Sequence, residues 1–277
     1  MKIAQLLISF LLINFLWACK KDLAEKPHGN AQAKEVWNCA YQENYKADNI
    51  DDVIANATNA YVLIDPFEKN AYQRISEIKA MGNEVCGYIS IGTGEDWRSD
   101  WNDLKPFCVS KQWSKWKGEY FVDATNTGVV DVMKARINQL ATWGCDWVEF
   151  DNMDWAFDDK NRKKYSITAT QQDAIDYYNT LCDYAHSKGL KCQAKNTVKD
   201  GPNFDGVLYE SFHKEKDWWD HDGAQSYLDA GKLVIINHYN EKQPNKVYQE
   251  YINLYNAGIS YICESKKEKK YIHYNEQ

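Results

Sequence analysis

Acidic side chains closing apolar runs are the residues in this chain best suited to chemistry. One set lies in Gly144-Cys145-Asp146-Trp147-Val148-Glu149-Phe150-Asp151-Asn152-Met153-Asp154, and another in Gly206-Val207-Leu208-Tyr209-Glu210. Side chains alternate along an extended strand, so Trp147, Glu149 and Asp151 share one face and Val148 and Phe150 the other. If the apolar pair meets covering helices, Glu149 and Asp151 point to the interior of the sheet. Carboxylates are costly to bury there unless paired or functional. Two carboxyl groups brought together from separate strands suit the cleavage of a glycosidic bond, one as proton donor and one as nucleophile or base. A structural ion pair accounts equally well for either carboxylate taken singly.

The elements that would position these groups repeat one pattern: a helical period, a glycine, then a short strand. Tyr72, Ile75 and Ile78 lead to Gly82 and Val85–Ile89. Val129, Met133, Ile137 and Leu140 lead to Gly144 and Trp147–Phe150. The pattern recurs with Gly189 before Lys191–Ala194, Gly231 before Leu233–Ile236, and Gly258 before Ile259–Ile262. A glycine there relieves the left-handed conformation that ends a helix. Helix and strand alternating over this length predict a parallel sheet with crossover helices. The strands finish in polar residues: Asp65, Ser90, Asp151-Asn152, Lys195-Asn196, Glu210 and Asn237-His238-Tyr239. In a (β/α)8 TIM-like barrel all these ends lie on one face, where such folds place their chemistry. A doubly wound open sheet is the alternative, and it calls for a glycine-rich phosphate loop. The one candidate, Gly92-Thr93-Gly94, lacks a third glycine and precedes Glu95-Asp96, which repel phosphate. With Tyr120-Phe121-Val122 there are nine strand-like runs, so one lies outside the barrel or is no strand.

The segment Gly144 to Asp154 closely resembles a signature of glycoside hydrolase family 114, the endo-α-1,4-polygalactosaminidases. Further blocks follow in the family's order: Cys86–Gly92 with Glu95–Asp100, Trp116–Glu119 with Phe121–Asp123, Ala185–Leu190 with Lys195-Asn196, and Glu210. Departures are local. Trp147 and Phe150 stand where the family carries glycine and proline, Gln193-Ala194 where it carries Gly-Leu, and Ser211-Phe212 where it carries Gln-Cys. The resemblance implies a (β/α)8 barrel, hydrolysis of α-1,4-linked galactosamine-rich polysaccharide, and Asp151 and Glu210 as the catalytic pair. Lys195 on the next strand would keep Asp151 charged, as a nucleophile requires, or else serve as a structural partner of Glu149. The apolar neighbours Leu208 and Tyr209 would favour the protonated form that a general acid needs at Glu210.

Asp65, Tyr88, Asp96, Arg98, Asn196 and Tyr239 are placed to line the cleft, together with Glu149, Asn152 and Lys195. Acidic groups there suit the ammonium of a deacetylated amino sugar, and loop ordering is their other reading. Trp97, Trp101 and Trp155 are sugar platforms or core residues, and Asp154 is a helix cap. No Gly-x-Ser-x-Gly elbow supports a serine triad. No metal or organic cofactor is expected, because no Cys-x-x-Cys or His/Cys cluster is legible.

The remaining features set the context. Residues 1–18 read as an export signal: Met1-Lys2, an apolar run from Ile3 to Trp17, then Ala18. Leu16-Trp17-Ala18-Cys19 approximates a lipobox, so both a lipid anchor on Cys19 and simple secretion are open, and residues 19–35 read as a polar tether. Residues 36–277 suit one domain. A net charge of −7 with no basic stripe excludes nucleic acid as the partner, and 11 Trp and 19 Tyr suit either sugar contact or core packing. Cys182, on a helix, and Cys192, on the next strand, are the preferred disulfide among eight cysteines. A monomer is expected. The competing functions are a carbohydrate-binding barrel without turnover and a hydrolase of a related amino-sugar exopolysaccharide.

Overall fold

The computed structural model describes residues 33–40, 48–153, 157–198, 203–212, 220–255 and 258–274. The export segment, Cys19, most of the tether, Asp154 and Trp155 lie outside them.

The chain opens with β1 (Val36–Asn38), α1 (Ile50–Asn56), β2 (Tyr61–Ile64), α2 (Ile75–Ala80) and β3 (Glu84–Ser90). An excursion follows, in which β4 (Thr93–Glu95) pairs antiparallel with β5 (Glu119–Phe121) around the short α3 (Trp101–Leu104). Then come α4 (Thr127–Trp143), β6 (Trp147–Asp151), α5 (Asp159–Tyr165), α6 (Gln171–Ser187), β7 (Lys191–Lys195) and β8 (Gly206–Phe212). The chain continues through α7 (His221–Asp229), β9 (Leu233–Glu241), α8 (Pro244–Tyr255), β10 (Ser260–Ser265) and β11 (Lys270–Tyr274).

Eight parallel strands run in the order β1-β2-β3-β6-β7-β8-β9-β10, and β11 joins antiparallel to β10. The last strands meet the first: the His273 Nδ1 of β11 lies 2.6 Å from the Val36 carbonyl, and the Lys34 amide donates to Ser260 Oγ at 2.8 Å. This is the (β/α)8 barrel expected. The run at Tyr120 is the strand outside it. Between β7 and β8 no helix occurs among the described residues, a departure from the strict repeat.

Local signals end and start these elements. Gly82, Gly144, Gly189 and Gly231 all take positive φ, the left-handed stop the spacing predicts. Asn126 caps α4, Asp220 caps α7, and Thr170 with Asp173 forms a capping box on α6.

Alternation along the strands sorts two cores. Val62, Val85, Val148, Phe150 and Val234 pack outward under the helices, whereas Tyr61, Leu63, Cys86, Trp147, Leu208 and Ile235 fill the barrel. Trp147 sits at the barrel's N-terminal end, with Nε1 donating to Glu84 Oε2 at 2.9 Å. The two departures from the family pattern at Trp147 and Phe150 therefore lie off the catalytic face. One plugs the far end and the other faces the helices.

The cysteine expectations also change. Cys182 and Cys192 are both free thiols, with the Cys192 Sγ donating to the Cys182 carbonyl at 3.5 Å. With His186 they form a Cys/His cluster after all.

Candidate active site

The C-terminal ends of the strands open into a cavity of about 710 Å³. Asp151 closes β6 and Glu210 lies near the end of β8, two positions away around the barrel. Lys195, the last residue of β7, stands between them. Its Nζ is 3.1 Å from Asp151 Oδ2 and 3.2 Å from Glu210 Oε1. The two carboxyls thus face one cavity, both lining it with Lys195. Lys195 is almost wholly buried, and the three neighbouring carboxyls Asp151, Glu210 and Glu149 push its pKa up against the cost of burial.

Two asparagines fix the orientation. Asn152 and Asn196 directly follow Asp151 and Lys195, and both adopt left-handed φ, which asparagine tolerates better than most residues. The turn lets the Asn152 amide donate to Asp151 Oδ1 at 2.6 Å. Asn196 accepts from the Glu210 amide at 2.9 Å and donates from Nδ2 to Glu210 Oε2 at 3.2 Å. The Tyr239 hydroxyl donates to Glu210 Oε1 at 2.9 Å and accepts from Asn237.

Of the residues expected to line the cleft, Asp65, Tyr88, Arg98, Asn152, Lys195 and Asn196 do so. Arg98 binds Asp65 through NH2 at 2.7 Å and Glu95 through Nε at 2.8 Å, locking the β4 excursion to the end of β2. Three others are corrected. Asp96 is exposed and off the cavity, with its amide bonded to the Gly118 carbonyl; one register earlier, Glu95 takes the inward position. Glu149 is fully buried two residues below Asp151 and Tyr239 lies beneath Glu210, so both support the site from inside the barrel. Glu149 accepts from Gln193 Nε2 at 2.9 Å, and burial pushes its pKa up to about 8.

Sequence reasoning missed Glu119. In the β4–β5 hairpin Glu95 and Glu119 stand directly opposite, which repels like charges. Arg98 neutralises Glu95, and Glu119 instead accepts from Thr93 Oγ1 at 2.6 Å and Asn152 Nδ2 at 3.3 Å. Burial first, then Glu95 and Asp151, raise the Glu119 pKa to about 7. The Trp116–Glu119 block was the available signal, since a carboxylate between aromatic and strand residues needs a partner. Trp116 and Trp97, 41% and 50% exposed, stand on the rim as flat apolar faces. Trp101 packs on Tyr120 instead, at 5.2 Å between ring centroids.

The model for glycoside-hydrolase family 114 matches residues 20–276. The chain belongs to that family. Most glycoside hydrolases use two carboxyl groups at one cleft, and Asp151 and Glu210 both line this one. Among solved structures, Ega3 of Aspergillus fumigatus, crystallised with galactosamine, superposes with a TM-score of 0.66 at 20% identity, over 88% of this chain and 95% of that one. The glycoside hydrolase domain of PelA from Pseudomonas aeruginosa gives 0.61 at 14% identity, over 88% and 98%. These likenesses concern the barrel fold. No curated protein matches the sequence.

Proposed function

We propose that this glycoside hydrolase is an endo-acting enzyme on galactosamine-rich, α-1,4-linked polysaccharide, with Asp151 as nucleophile and Glu210 as acid and base. The observation that carries the reading is the convergence of both carboxyls on Lys195. The Asn152 amide, at 2.6 Å, and Lys195 Nζ, at 3.1 Å, hold the Asp151 carboxyl in place for attack. Glu210 Oε2 has one contact, from Asn196 at 3.2 Å, and keeps a lone pair for the transferable proton.

In the first step Glu210 protonates the glycosidic oxygen while Asp151 attacks the anomeric carbon, forming a glycosyl ester and releasing the leaving chain. Water then attacks that carbon, Glu210 takes its proton, and Asp151 departs. The contacted oxygens, both on Lys195 Nζ, are at most about 6.3 Å apart, which supports retention over inversion, for which the carboxyls stand about 6.5–9.5 Å apart. Ega3's galactosamine ligand and the carboxyl of Glu119, which has no cation partner among the described residues, support an amino sugar as substrate. The apolar run at Ile3–Trp17 supports export before action, by secretion or on a Cys19 lipid anchor, and no helix among the described residues is long and apolar enough to cross a membrane.

The test is product analysis by mass spectrometry and NMR on partly deacetylated galactosaminogalactan, chitosan and starch. The reading expects mid-chain products from the first alone, with the α-anomer formed first. Release from chitosan or starch instead would replace the substrate. Tight binding without products would leave a carbohydrate-binding barrel.

A further inference from the structure

The barrel end opposite the carboxyl pair holds a second group of chemically capable side chains. Cys182 and His186 lie four residues apart on α6, hence on one helix face. The chain turns at Gly189 and enters β7, whose second residue, Cys192, points outward to the same place because it is in register with Val148. The two Sγ atoms and a His186 ring nitrogen all lie within 4.8 Å of one another, with Cys182 Sγ 4.0 Å from His186 Nε2. Asp205, just before β8, brings Oδ2 to 2.8 Å from that same Nε2. The Cys192 amide holds this oxygen in place with a 2.8 Å hydrogen bond.

We propose that Cys182, His186, Cys192 and Asp205 form a structural zinc site that ties the last turn of α6 to β7 and the entrance of β8. The donor set is two sulfurs, one imidazole nitrogen and one carboxylate oxygen, all ligand types zinc accepts. Thiolates disfavour magnesium and calcium, which take oxygen. In a tetrahedral zinc site, sulfur and nitrogen ligands lie about 3.5–3.8 Å apart. The two sulfurs and the His186 nitrogen need only a small inward closure, and Asp205, now held on His186 Nε2, turns onto the ion as the fourth ligand. Both cysteines are fully buried, whereas His186 and Asp205 keep about a third of their side-chain surface exposed, which leaves an entry path. On binding, both thiols release their protons to solvent, His186 is neutral with Nε2 on the ion, and Asp205 exchanges its histidine contact for the metal. The connection after β7 carries no helix among the described residues, so a metal bond there would replace packing that other crossovers supply.

The experiment uses the full chain, purified without chelator and analysed for metal by mass spectrometry. It is then stripped, reloaded with Co²⁺, and followed by visible absorption. The proposal expects one zinc per chain and, with Co²⁺, tetrahedral d–d bands with a thiolate charge-transfer band. The Cys182→Ser/Cys192→Ser double variant should lose these bands and Cys263→Ser should keep them. Chelation should lower Tm while glycosidase turnover well below Tm changes less than about twofold. Should the double variant fail to fold, alkylation of the wild type decides: zinc should protect Cys182 and Cys192, and chelator should expose them. A Cys182–Cys192 disulfide-linked peptide from unreduced protein, or Co²⁺ bands absent after reloading, would overturn the site.

Discussion

Glu119 is the buried cleft carboxyl that has no cation partner among the described residues. Asp65 and Glu95 are bound by Arg98, and Asp151 and Glu210 by Lys195. Its pKa, raised to about 7 by burial, means that it is largely protonated in mild acid and must ionise to hold an ammonium. Raising the pH from about 5 to 7 ionises Glu119, so the KM for a deacetylated polymer should fall along that limb, before the substrate amine loses its own charge. Glu119→Gln should remove the acid limb and raise KM by roughly 10–100-fold, the loss expected for a hydrogen bond to a charged group. A fully acetylated polymer should be indifferent to the change. Steady-state kinetics across pH on both polymers checks this, and an unchanged acid limb in the variant would assign the ammonium elsewhere.

Among the elements, β3 and α4 approach closely because Gly87 has no side chain. A Cβ built there would stand 2.5 Å from Leu140 Cδ2. Gly87→Val should therefore cost about 1–3 kcal/mol through overpacking, read as a lowered Tm with the site's residues untouched. A Tm equal to wild type would show that α4 moves away freely. This scale is also where the sequence was most legible. The alternation at Trp147–Asp151 sorted inner from outer residues correctly, and the helix-stopping glycines marked where β3, β6, β7 and β9 begin. Such signals are local, carried by periodicity and φ. The antiparallel β11, the closing contact of His273 with Val36, and the entry of Glu119 through a hairpin depend on residues far apart in the chain. No local pattern encodes them. In the Cys182, His186 and Cys192 cluster the nearness of the two cysteines was legible, whereas their meeting with His186 as free thiols was not.

Across the whole molecule, the two ends of the barrel do different work. Trp147, packed edge-on to Tyr61, and the Cys/His cluster consolidate the N-terminal end, whereas the opposite end carries the cavity. The residues that depart from the family pattern at Trp147, Phe150 and Ala194 point to the plugged end or the helices. Gln193, which does face inward, bonds Glu149 and Tyr61 below the carboxyl pair. The central claim is that Asp151 and Glu210 perform the cleavage. Its most direct measurement is the rate of release of reducing ends from soluble galactosamine polymer by wild type, Asp151→Asn and Glu210→Gln, each shown by circular dichroism to be folded. The account predicts a loss of roughly 10²–10⁴-fold or more in each variant, the scale of general acid–base work. Near wild-type release by either folded variant would contradict it.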